Sequence, residues 1–216
     1  MDKLCFIIHG IGEQDPKYAY NIIKKLEKQF DRVSFIPICW SKIFDTYEMD
    51  LLKKLEKYNL GYIHNFVIMH CADVIMYEKL KVKLYSYLDY ILEPYKETDI
   101  SFIAHSLGSI IVSNYIWDRK INVKNFFTVG SPLALYSLGN EDFIKPTKVE
   151  NWINIWSKYD CISYPLKVLN TQYDIAVKKD IEVNSWNIFH RIFRLAHMDY
   201  FDKKEFYSVI YNEWKQ

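Results

Sequence analysis

The serine in "SFIAHSLGSII" (residues 101–111) stands at the end of an apolar run, with Ala104 two residues before it and Gly108 two residues after. A serine that attacks a carbonyl carbon must carry its hydroxyl out of a sheet, on a strand that turns abruptly into a helix. Such a turn leaves room only for small residues at those two positions. "AHSLG" meets the demand, with alanine where the G-x-S-x-G pattern has its first glycine. An ordinary helix N-cap serine carries the same short pattern, so the rest of the chain decides whether Ser106 reacts.

A reactive serine needs a base, an acid to orient that base, and N–H groups for the oxyanion. The glycine turn His9-Gly10-Ile11-Gly12 follows an apolar strand and suits a loop that donates one N–H, while Leu107, directly after the serine, would donate the other. Asp160 and His197 then follow Ser106 in the chain order that a serine on such an elbow requires. Asp160 lies just past the apolar run "WINIW", where a carboxylate at the carboxyl end of a strand would sit, and His197 precedes the last helical stretch. Asp174 and Asp180 are alternative acids. His190 is the alternative base, but its aromatic setting "WNIFHRIF" reads as packing. Ser131 as nucleophile would need a helix behind it, for which Pro132-Leu133 offers a weak start at most. Asp73, in "ADVIMY", reads as an interior carboxylate with a hydrogen-bond partner, because an unpaired one on an apolar stretch is costly.

These residues need elements to position them. Short apolar runs alternate with amphipathic stretches along the chain, which predicts an α/β protein with a mainly parallel sheet flanked by helices. Strands are predicted at 4–8, 33–39, 100–104, 124–129, 151–156 and near 181–183, and helices at 17–30, 79–93, after Ser106 and from about 203. Pro37 places the second strand near a sheet edge, and Pro94 stops the helix ahead of the third. Residues 41–78 carry two apolar helical stretches broken near Asn59-Leu60-Gly61, more chain than a crossover requires. They read as a helical cap inserted into a single domain spanning 1–216, either a lid that binds an acyl chain or ordinary packed helices.

Five segments in order, "FIIHGIGEQ", "SFIAHSLGS", "FFTVGSPLAL", "NIWSKYDCISYPL" and "AHMDYF", cover the chain from first strand to last helix. With them the sequence resembles the α/β-hydrolase superfamily, and within it the lipase-like and esterase-like serine hydrolases with an HG-type oxyanion loop. The resemblance implies a minimal α/β-hydrolase fold with a sheet of about six strands. It implies Ser106 as nucleophile, His197 as base and Asp160 as its orienting acid. The backbone N–H groups of Ile11 and Leu107 would hold the oxyanion, on a loop shaped by His9, Gly10 and Gly12. The expected reaction is cleavage of a carboxylic ester, of a lipid or other apolar acyl substrate, through an acyl-enzyme and without metal or organic cofactor. Thioester or amide hydrolysis, or acyl transfer, would use the same residues, and the fold could also serve as a binding module without turnover.

Composition narrows the remaining classes. Lys and Arg number 28 against 27 Asp and Glu, a formal charge of +1, which makes no case for a nucleic-acid partner. Half the residues are apolar and 17% aromatic, as in a chain that buries a core. The four cysteines stand far apart with no CxxC pair, which reads as free thiols in a reducing compartment. The opening run "LCFII" is too short for a secretory signal, so a cytoplasmic protein is expected. "YIHNFVIMHCADVIMY" falls short of the ~20 apolar residues of a spanning helix, which leaves transient contact of the cap with a membrane surface as the expected membrane interaction.

Overall fold

A computed structural model of the chain describes residues 3–10, 15–40, 43, 54, 62–137, 149–184, 197 and 199–214, with 62–75 described for their backbone alone. The strands are β1 (Lys3–Ile8), β2 (Val33–Ile38), β3 (Ile100–His105), β4 (Val123–Val129), β5 (Asn151–Trp156) and β6 (Lys179–Glu182). They form one sheet in the order β2-β1-β3-β4-β5-β6, and every pair is parallel. β3 is buried at every residue and β1 at all but its first, whereas β2 and β6 at the two edges are largely half-exposed or exposed. The continuous apolar runs are thus the strands covered on both faces, and Pro37 does lie on an edge strand, where its missing N–H costs no inner ladder bond.

Alternation along the strands divides the core in two. Phe6, Ile8, Phe102, Ala104, Phe126 and Trp152 point to one face, against Leu84, Leu88, Ile110 and Ile111 of two helices, α2 (Tyr62–Leu92) and α3 (Leu107–Arg119). Ile7, Ile103, Phe127 and Ile155 point to the other, against Ile22 and Leu26 of α1 (Tyr20–Leu26) and Phe206 and Ile210 of α6 (Lys204–Glu213). Each of the Leu, Ile and Phe side chains taken from water contributes about 2 kcal/mol. Two short helices, α4 (Leu133–Ser137) and α5 (Thr171–Ala176), lie between β4 and β6 in sequence, the second capped by Asn170, whose side chain accepts from Tyr173 N–H at 3.0 Å.

Two expectations change. The first helix begins as a 3-10 turn at Pro16–Ala19, capped by Asp15, and the α-helix ends at Leu26 rather than near residue 30. More important, the separation expected between a cap ending at 78 and a helix at 79–93 is absent: α2 runs unbroken for 31 residues, about 46 Å at 1.5 Å per residue. The charged pair Glu78-Lys79 contains no glycine or proline, so nothing there stops a helix. Pro94 lies in a 3-10 turn, Glu93–Tyr95, that follows the helix end at Leu92. The break expected at 59–61 lies outside the described residues, as does most of 41–61. Among the described residues no helix is long and apolar enough to cross a membrane.

The sheet order makes a switch point. β1 is followed in sequence by β2 on one side, but its other neighbour in the sheet is β3. Chains leaving the carboxyl ends of β1 and β3 therefore diverge and open a crevice between them. His9-Gly10 and Ser106 are the residues that leave those two ends.

Candidate active site

The passage from β3 to α3 takes place at a single residue. Ser106 has φ 52° and ψ −130°, a combination that L-residues rarely adopt. Lys120, the other described non-glycine residue with positive φ, sits in the ordinary left-handed cap of α3. Ser106 N–H donates to the Val129 carbonyl at 2.9 Å, and Ser109 N–H and Oγ–H both donate back to the Ser106 carbonyl, at 2.9 and 2.5 Å. The turn is therefore held on both sides.

Close backbone approach explains the small residues around it. A Cβ on Gly108 would fall 2.4 Å from the His9 carbonyl oxygen, so the start of α3 can meet the end of β1 only without a side chain. A Cβ on Gly10 would fall 2.6 Å from Ser106 Cβ, which puts the bare backbone of the glycine turn against the serine. Ala104, where the pattern has glycine, is fully buried in β3 without disturbing the turn. Leu107 is the first residue of α3, so its N–H has no partner inside the helix.

Asp160 lies in a tight turn after β5, its N–H donating to the Ser157 carbonyl at 3.0 Å. Its side chain is wholly buried and accepts Ile162 N–H on Oδ1 at 3.1 Å. His197 Nδ1–H donates to Asp160 Oδ2 at 2.8 Å, and Ser106 Oγ–H donates to His197 Nε2 at 2.8 Å. A carboxylate can only accept, which assigns the proton to Nδ1 and leaves Nε2 free to take one from the serine. Residues 54 and 91 positions from the serine (160 − 106 and 197 − 106) thus meet it in one line. Such a line can draw the proton from an attacking hydroxyl and hold the imidazolium that results.

Two residues around the line gave no chemical signal in sequence. His105 lies against His197, ring centroids 4.8 Å apart, and its Nε2–H donates to the His197 carbonyl at 3.0 Å. Burial, then the neighbouring His197, lowers its pKa to about 3, so it stays neutral. Tyr200 O–H donates to Asp160 Oδ2 at 2.9 Å. Adjacency to the elbow and to His197 was the only available hint of either. His9 stacks on Trp40 at 5.2 Å, and Trp40 Nε1–H donates to the His9 carbonyl at 3.0 Å, which fastens the glycine turn to the chain leaving β2. Burial lowers the His9 pKa to about 4.

The alternatives fall elsewhere. Asp180 accepts from Asn154 Nδ2 (2.7 Å), Leu166 N (2.9 Å) and Lys167 N (2.9 Å), which makes it the anchor of the loop before α5. Asp174 pairs with Lys167 at 3.0 Å in solvent. Ser131 Oγ bonds Ser109 Oγ at 2.6 Å and accepts Leu133 N–H at 3.3 Å, so it caps the five-residue α4 and braces the elbow. His190, Ile11 and Gly12 lie outside the described residues, as does the Asp73 side chain. Among the described residues no group of three or more His, Cys, Asp or Glu is placed to hold a metal ion.

No protein-family model and no curated protein matches this sequence. Among solved structures the chain is similar to dienelactone hydrolase from Anabaena variabilis ATCC 29413, at 12% identity and a TM-score of 0.50, over 99% of this chain and 85% of that one. An uncharacterized protein from Bacillus cereus ATCC 10987 matches at 10% identity and a TM-score of 0.50, over 93% of this chain and 59% of its own. Est1E from Butyrivibrio proteoclasticus, at 15% identity, 0.42, and coverage of 92% and 86%, is too loose a match to add to this. At such identities the likeness is one of architecture. With six parallel strands, helices on both faces and a serine turn at the switch point, this chain has the α/β-hydrolase fold.

Proposed function

We propose that the protein is a serine hydrolase that cleaves carboxylic esters with an apolar acyl group. The observation that carries this reading is the line Ser106 Oγ, His197 Nε2, His197 Nδ1, Asp160 Oδ2, joined at 2.8 and 2.8 Å and presented on a positive-φ turn. Ser106 Oγ attacks the ester carbonyl while His197 Nε2 takes its proton. The oxyanion accepts the Leu107 N–H and that of residue 11. Collapse expels the alcohol, which leaves with the proton from His197, and the acyl group stays on Ser106. Water then loses a proton to His197 as it attacks the acyl-enzyme, and the acid departs as Ser106 recovers its hydrogen. Asp160 holds the imidazolium in both halves.

An apolar acyl group is favoured by the segment "YIHNFVIMHCADVIM" (62–76), which lies within the proposed cap at 41–78 and forms the start of α2. The same stretch would provide a transient contact with a membrane surface. The buried free thiol of Cys5 suits a reducing, cytoplasmic setting.

A fluorophosphonate probe tests the chemistry. Labelling of the folded wild type at Ser106, and none of Ser106→Ala, is expected; an unlabelled wild type beside a labelled control hydrolase would overturn the proposal. Ester, thioester and amide analogues of one acyl group, in a series of chain lengths, then test the substrate class. Ester turnover that rises with chain length is expected, and preference for the thioester or amide would reassign it.

A further inference from the structure

Asp160 Oδ2 accepts two hydrogen bonds, one from His197 Nδ1–H and one from the Tyr200 hydroxyl at 2.9 Å. The two donors are three positions apart in sequence, ahead of α6, so one oxygen gathers two neighbouring donors. Tyr200 is 2% exposed, and its ring lies against the backbone of Gly130, where a Cβ would stand 2.8 Å from its Cε2. A buried ring could fill that space without a hydroxyl. Here the hydroxyl is present and aimed at the carboxylate that faces the histidine.

We infer that Tyr200 is a positioning residue that fixes the Asp160 carboxylate and, by sharing its charge, sets the basicity of His197. This rests on the proposal that His197 is the base for Ser106. An oxygen that accepts a hydrogen bond has less negative charge to offer a second donor. Burial, with the Asp160 charge beside it, pushes the Tyr200 phenol well above its usual pKa, so the hydroxyl keeps its proton and remains a donor. Asp160 and His105 also face His197, and His9 acts on His105 from beyond it. Both of those histidines stay neutral at working pH.

The test is an NMR titration of the assigned His197 imidazole in the wild type and in Tyr200→Phe, which keeps the ring and removes one O–H. Without that donor the carboxylate binds the imidazolium more strongly, so the His197 pKa is expected to rise by about half a unit or more. The acid limb of kcat against pH moves up with it, and kcat for an ester falls roughly tenfold while KM is unchanged. A His197 pKa displaced by less than about 0.2 unit in a folded Tyr200→Phe protein overturns the inference, since a purely structural tyrosine would alter only the melting temperature.

If the phenylalanine variant does not fold, 3,5-difluorotyrosine at position 200 keeps shape and hydroxyl but makes a stronger donor. The His197 pKa must then fall; no change, or a rise, overturns the inference. Should the wild type turn over no ester, the proposed function fails on its own account, and the titration still reads whether Tyr200 governs His197.

Discussion

In the amino halves of β3, β4 and β5, Ser101 Oγ accepts from Asn125 N–H and Nδ2–H at 3.3 and 3.2 Å. Asn151 Nδ2–H donates to Asn125 Oδ1 at 2.9 Å and to the Glu213 carbonyl at 2.6 Å. Beside them a hollow of about 600 Å³ is rimmed by Asp89, Tyr115 and Arg119, with the ion pair Arg119–Asp89 at 2.7 Å. At and beyond the carboxyl ends of the same strands, Asp160, His197, Ser106, His105 and Tyr200 are likewise buried and hydrogen-bonded. What differs is where the bonds lead. The amide network runs back into backbone and binds elements together. The other runs from a charge, through a ring that can hold a proton on either side, to a hydroxyl on the switch-point crevice. Buried polar groups of similar cost serve as scaffold at one end and, in the proposed reaction, as machinery at the other, according to whether the chain ends on an atom that can react.

That contrast can be broken by substitution at either end. Asp160→Asn keeps the shape of the turn but removes the charge that holds the proton on Nδ1. Ester turnover is expected to fall by roughly four orders of magnitude; a loss below tenfold would place the acid elsewhere. The pH dependence of stability is next in size. His9 and His105 have folded pKa values, about 4 and about 3, below the 6.5 of the unfolded chain. The unfolded state therefore binds more protons as pH falls below 6.5, so stability is intact above that value and is lost progressively down to about pH 4 for His9 and about pH 3 for His105. Each group contributes about 1.4 kcal/mol per pH unit, together about 4 kcal/mol by pH 5. Denaturant midpoints between pH 5 and 8 check this, and replacing His105 with Gln should remove part of the slope.

Gly108→Ala tests the packing between the two crevice loops. Its Cβ would meet the His9 carbonyl, and a stability loss on the order of 3 kcal/mol with reduced turnover is expected from thermal melts and kinetics. The smallest effect belongs to the opposite end. Asn151→Ala should cost about 1–2 kcal/mol in a denaturant titration and leave kcat/KM unchanged at temperatures where the protein is folded. Turnover that falls as far as in Asp160→Asn would erase the distinction between scaffold and machinery.

Much of this arrangement was legible in residue order. Strands buried on both faces write themselves as continuous apolar runs, which is why β1, β3 and β5 fall where "LCFII", "ISFIA" and "NWINIW" place them. Steric demands at an elbow leave a local trace at Ala104 and Gly108. The order of Asp160 and His197 after Ser106 pointed to residues that the fold does bring together at hydrogen-bond distance. The continuity of α2 was not legible, because a charged pair interrupts its apolar stripe without interrupting its backbone. Nor were the contacts of His105 and Tyr200, since a histidine beside a serine and a tyrosine near a histidine acquire meaning only when a carbonyl or carboxylate from another part of the chain is folded against them.

The backbone at Ser106 has a consequence for how such a sequence would drift. A non-glycine residue held at φ 52° costs about 1–3 kcal/mol, so the reactive atom of the proposed site is carried on a backbone position that works against the stability of the fold. Glycine at that position would relieve the cost and leave the sheet intact. A lineage released from any need for turnover would gain by that exchange, and the serine would be among the first residues to go.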